Sequence, residues 1–85
     1  MTETEVGSVI HFFSKISVAI IRITADSFKV GDSIYIKGHS TDIKQGIDSM
    51  QIEHKIISEG KVGDEVGIKV TGHVREGDKV YKVTE

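Results

Sequence analysis

Few side chains of this chain have types and spacings that could do chemistry. Four histidines, His11, His39, His54 and His73, carry the donor atoms a zinc ion takes, yet none stand in an H-x-x-x-H spacing and no carboxylate cluster completes a ligand set. Cysteine is absent, which removes disulfides, thiolate ligands and a thiol nucleophile together. The carboxylate pairs Asp64 with Glu65 and Glu76 with Asp78 fall in glycine-containing turns, where solvent surrounds an acid and gives it no poise for proton transfer. Ser14 and Ser17 lack a histidine or acid at a recognisable motif spacing, and no G-x-S-x-G elbow occurs. Asp64 to Gly67 spells D-x-x-G, but no G-x-x-x-x-G-K-[ST] phosphate loop accompanies it. The residues therefore predict no metal, no cofactor, no bound GTP and no catalysis by this chain.

What remains is surface. Lys15, Arg22, Lys69 and Arg75 together with Phe12, Phe13 and Tyr35 have the composition of a stacking and phosphate-contact face of the kind small barrels use for RNA. The competing reading is that the aromatics are core and the cations solvate the outer faces, since a folding barrel claims most of the five aromatics available. Eleven basic against thirteen acidic groups leave a net charge of −2, which rules out broad attraction to phosphate and with it DNA wrapping. The opening MTETEVGSV is not a basic lead into an apolar run, and no stretch approaches the ~18 apolar residues of a membrane span, so a complete, cytoplasmic chain is expected.

The elements that must position these groups read as strands. Eighty-five residues with 38% hydrophobic content make one small core. Nine glycines and no proline mean that turns are made with glycine and aspartate. Val6 to Phe13 and Ser17 to Thr24 are strand-length runs of β-branched and aromatic residues, joined through Phe13 to Ile16 as a hairpin with Lys15 at its tip. The second run is apolar on nearly both faces, which predicts a central, deeply buried strand. KVGD at Lys29 to Asp32 leads into a strand over Ser33 to Lys37, and Gly38 to Gly46 reads as a polar surface loop. Ile47 to Ile57 fits both periods; a strand through about Lys55 is favoured by its surroundings, with a helix as the alternative. KVGD recurs at Lys61 to Asp64 before a strand over Glu65 to Thr71, and a third glycine–aspartate turn, Glu76 to Lys79, precedes Val80 to Val83. His11 and His54 fall in strands, and His39 and His73 in loops. The sum is a disordered lead over 1–5 and a single all-β domain over 6–83, a six-stranded antiparallel barrel.

The strand ending Ile20, Ile21, Arg22, Ile23, the turn Lys29 to Asp32 with its strand, and Ser58 to Val70 (SEGKVGDEVGIKV) resemble the second domain of translational GTPases such as elongation factor Tu. The resemblance runs from Val6 to Val83. It extends to small stand-alone elongation-factor-like proteins and to the barrel appended to collagenase-like peptidases. It implies a barrel that helps hold the aminoacylated end of transfer RNA through an acid near the terminal ribose. Carried over by position, that acid is Gln51, the next pocket positions are Glu53 and His54, and the strand-start position is Glu65. A neutral amide in place of the acid, with additional carboxylates facing a phosphate end, weakens the transfer-RNA role. The expectation is a non-enzymatic, translation-factor-like binding module of protein biosynthesis, docking a ribosome-associated or RNA-containing partner. Its contact set is His11, Phe13, Lys15, Arg22, Gln51, Glu53, His54, Glu65 and Arg75. The alternatives are an auxiliary protein-binding subunit of a separately encoded peptidase-like or RNA-modifying enzyme, and a homodimer formed through an open barrel edge.

Overall fold

The three glycine–aspartate corners share one geometry. In Lys29–Asp32, Lys61–Asp64 and Arg75–Asp78 the aspartate N–H donates to the first residue's carbonyl at 3.0, 2.9 and 3.2 Å. The aspartate carboxylate in turn accepts that first residue's N–H at 3.0, 3.0 and 2.9 Å. Gly31, Gly63 and Gly77 sit at φ 98, 95 and 93°, the left-handed value a type II turn demands at its third residue. Each corner then docks on one aliphatic residue. The glycine N–H donates to the carbonyl of Ile47, Ile23 or Val9, and that residue's N–H donates to the aspartate carbonyl, at 2.7 to 2.9 Å. This is the two-against-one pairing of a glycine bulge, and all three aliphatic partners are buried. The third corner begins at Arg75, one residue earlier than the sequence indicates.

The computed structural model describes residues 2–53 and 55–84. Ten strands follow one another: β1 Thr2–Phe13, β2 Val18–Ile23, β3 Phe28–Lys29, β4 Ser33–Lys37, β5 Asp42–Gly46, β6 Met50–Ile52, β7 Lys55–Ile57, β8 Glu59–Gly60, β9 Glu65–Lys69 and β10 Lys79–Thr84. Eight form one antiparallel sheet in the order β5-β4-β10-β1-β2-β9-β6-β7, and β3 pairs with β8 separately. No helix occurs among the described residues, so none is there to cross a membrane.

Ile34 and Ile36 from one end of the sheet share a single buried cluster with Met50 and Ile68 from the other, which requires the sheet to roll on itself. Strand pairing does not close it, however, and the six-stranded barrel is replaced by an open order that ends in β5 and β7. A side chain spans the gap. The Gln45 amide on β5 donates to the Lys69 carbonyl at 2.9 Å and accepts the Thr71 N–H at 2.8 Å, so one amide stands in for a neighbouring strand beside β9.

Three further departures have physical causes. Residues 42–46, read as loop, are the edge strand β5; only Ile43 packs on the core, so its composition is polar as an edge strand's must be. The ambiguous stretch around Met50 is a hairpin of β6 and β7, with Met50 opposite Ile57 and the break at Glu53, which holds φ 49°. Residues 2–5, read as a disordered lead, pair with β10, with Thr2 opposite Thr84 and Glu5 opposite Tyr81. Their partner lies at the far end of the chain, beyond any local signal.

Gly7 is a glycine for a different reason from the corner glycines. It sits where the β1–β10 register shifts, and a β-carbon there would collide with the backbone carbonyl of Arg22 on β2. At Gly63 a β-carbon would meet nothing within 4 Å, so only its φ resists a side chain. Gly63→Ala should therefore cost about 1 kcal/mol in urea denaturation, and Gly7→Ala distinctly more, because neither strand can yield without breaking its ladder. Gln45→Ala should cost about 1–2 kcal/mol. Gln45→Glu, which turns the donor into a second acceptor facing Lys69, should do no better.

Candidate docking site

β2 is central, as expected, but it is buried on one face only. Ala19, Ile21 and Ile23 point into the core, whereas Val18 and Ile20 on the opposite face are half-buried and Arg22 is exposed. Among the described residues no second layer covers that outer face. Across the ladder His11, Ile20, Gly67, Gln51 and Ile56 fall in one row, and Phe13, Val18 and Lys69 in the next. Gly67 leaves the middle of the row without a side chain. The result is an outward-facing hollow of about 310 Å³, lined by Phe13, Ile16, Val18, Ile20, Gln51, Glu53, Glu65 and Gly67.

Its walls are held in place. Phe13 is 45% and Ile16 60% exposed, large fractions for apolar side chains on an 85-residue chain. The His11 ring packs edge-on against Phe13 at 4.4 Å between centroids. The Arg22 guanidinium donates twice to Glu65 Oε2, at 2.6 and 3.1 Å. An exposed pair of this kind adds at most ~1 kcal/mol of stability, so its chief effect is to fix where the Glu65 carboxylate stands. Two non-glycine residues among those described occupy the left-handed region, Ser17 at φ 56° and Glu53 at φ 49°. Ser17 joins Ile16 to Val18, and Glu53 is itself a wall residue.

Of the contact set expected from sequence, Phe13, Gln51, Glu53 and Glu65 line this hollow, and His11 and Arg22 brace it. Lys15 is on the exposed loop beside Ile16. Arg75 does not join them; it borders a separate, shallower depression with Phe12, Ser14 and His73. His54 lies outside the described residues. Ile16, Val18, Ile20 and Gly67 were not in that set, because an apolar run in a central strand reads as core. The available signals were a strand apolar on both faces in a chain with a single core, and a glycine inside the cleanest alternation of the sequence.

The basic and aromatic residues do not assemble into one stacking face. Phe12 packs against the core, and its ring lies 4.9 Å from that of His73. Tyr35 stands on β4, three strands from Arg22, where it pairs with Tyr81 and lies beneath the Lys44 ammonium. A hydrogen bond with Asp42 raises the Tyr35 phenol above its ordinary pKa. Elsewhere, hydrogen bonding to Lys82 and to the Ser27 N–H holds the Asp26 carboxyl below its usual range. No group of three or more histidine and acidic side chains that could hold a metal occurs among the described residues.

The geometry is that of an outward apolar hollow on a small antiparallel module. No protein-family profile matches the chain. It is 44% identical over 82 residues to an uncharacterised protease of Methanocaldococcus jannaschii and 32% identical over 81 residues to a collagenase of Porphyromonas gingivalis. Those alignments cover 95% and 94% of this chain but only 20% and 22% of the relatives, so the chain spans about one fifth of their length. Among solved structures, the C-terminal domain of a Geobacillus thermoleovorans protein assigned to the U32 peptidases superposes with a TM-score of 0.87. That match covers 95% of this chain and 93% of the other at 17% identity, which establishes a shared fold.

These findings overturn the likeness to elongation factor Tu, and with it the translation-factor and protein-biosynthesis role. The misleading run, SEGKVGDEVGIKV, is accounted for by structure: a type II corner with its glycine bulge, followed by β9. It reports a way of turning a chain into a strand, and so carries no information about ligand.

Glu53 holds a backbone conformation that glycine would adopt without strain. Glu53→Gly should leave thermal stability unchanged or raise it by up to about 1 kcal/mol, measured by calorimetry. A clear loss would show that the Glu53 side chain supports the fold instead of the site.

Proposed function

We propose that this chain is a non-catalytic accessory module of a U32-type, peptidase-like enzyme, and that it docks the catalytic portion through the hollow over β2, β9 and β6. The observation that carries the reading is the uncovered apolar face of β2, walled by Phe13 and Ile16. Two comparisons support it: sequence likeness to about one fifth of a protease and of a collagenase, and the fold of a domain at the C-terminal end of a U32-type protein. In this reading the reacting groups reside in the remaining length of such proteins, and the module contributes binding energy and orientation. Covering one large apolar side chain is worth about 1.5–3 kcal/mol, so Phe13 and Ile16 together can hold a partner. If module and catalytic portion share a polypeptide, a high effective concentration makes even a weak contact sufficient.

The test is titration calorimetry between this chain and the catalytic part of a U32-type protein expressed without its corresponding segment. A one-to-one complex is expected. Ile16→Glu should weaken it at least about tenfold, the loss of one buried aliphatic contact, with the melting temperature of the free chain essentially unchanged. Absence of a complex, or one indifferent to Ile16→Glu and Phe13→Glu, would rule the proposal out.

A further inference from the structure

We infer that the segment seated in the hollow carries a large apolar side chain with a lysine or arginine next to it; this rests on the docking reading above and names the chemistry of the occupant. The floor of Val18, Ile20 and Gly67 is apolar and lacks a side chain at its centre, so it receives an apolar group. The charges around it are segregated. On β9, Glu65 and Lys69 stand two residues to either side of Gly67, about 7 Å each way at strand spacing. β6 runs antiparallel to β9 with Gln51 opposite Gly67, which brings Glu53 toward the Glu65 end. Two carboxylates thus share one end of the hollow and a lysine marks the other. The cation at the acidic end, Arg22, is already engaged with Glu65. Glu53 has no ion-pair partner among the described residues. Among the described residues the acidic end therefore carries one carboxylate without an ion-pair partner beside an apolar floor, and a partner complementary to it places a cation there.

The probes are the hexapeptide SGLRGS and its counterparts SGSRGS and SGLEGS, titrated into the whole chain and followed by amide chemical shifts. SGLRGS should bind most tightly and move the amides of Ile20, Gly67 and Gln51. Replacing its leucine by serine should weaken binding about tenfold or more. Replacing its arginine by glutamate should weaken it about two- to fivefold, as suits an exposed charge pair. Glu53→Gln should shrink the arginine-over-glutamate preference while leaving the leucine-over-serine preference intact, which separates the charge from the floor.

Equal binding of SGLRGS and SGLEGS, an unchanged preference in Glu53→Gln, or shifts confined to other faces would each overturn the inference. So would sedimentation showing a dimer that Ile16→Glu dissociates, because the occupant would then be the Lys15–Ile16 loop of a second copy. If the catalytic portion binds in an Ile16-dependent way and these preferences are absent, the docking reading stands and this inference alone falls.

Discussion

The fold depends on one hydrogen-bonding unit used three times: a glycine in the left-handed conformation and the aspartate after it exchange backbone bonds with a single buried aliphatic residue. Each unit does two things. The turn reverses the chain, and the bulge sets the register of the strand that follows, since two residues on one side answer one on the other. Ile47, Ile23 and Val9 are thereby fixed in the core by their backbones as well as by their side chains. β4, β9 and β10 each start directly after such a corner. Local geometry and long-range packing are satisfied by the same atoms, which is the consistency a small core needs.

A single rolled sheet has only one inside. With 85 residues there is enough apolar surface to fill that inside but no further layer to cover the outside. Most outward positions are accordingly polar, and Lys44, Glu5 and Lys79 stand on the outer faces of their strands. The apolar exceptions are Val30 and Val62 at two of the corners, Ile56 on β7, and the patch built from the β1–β2 loop and the outer side of β2. Apolar side chains persist there, a glycine opens the middle, and two residues accept left-handed backbone conformations at its walls. Concentrated in one place, these departures from an ordinary strand surface single out this patch as the surface on which the docking proposal rests.

Much of this was legible in the chain. The glycine–aspartate corners, the hairpin around Lys15, and the strands at Ser33–Lys37 and from Glu65 onward follow from turn chemistry and period-two alternation. Phe13, Gln51, Glu53 and Glu65 could be nominated as contacts, although the likeness that placed Gln51, Glu53 and Glu65 pointed to the wrong class of protein. The reason is that the shared residues encode corners and strands, and a corner that serves one barrel-like module serves another whatever it binds. β5 escaped notice because an edge strand with one inward residue has no alternation to see. The pairing of residues 2–5 escaped because its partner lies some eighty positions away.

Taken alone, the amino-acid sequence determined where the three glycine–aspartate corners turn the chain and that it is all β, because those properties are set within a few residues of each position. The tertiary structure decided which face of β2 is inside, that the sheet rolls without closing and is bridged by the Gln45 amide, and that Val18, Ile20 and Gly67 form the floor of a hollow. A period-two pattern shows only that a strand has two faces; what covers each face depends on strands distant in the chain.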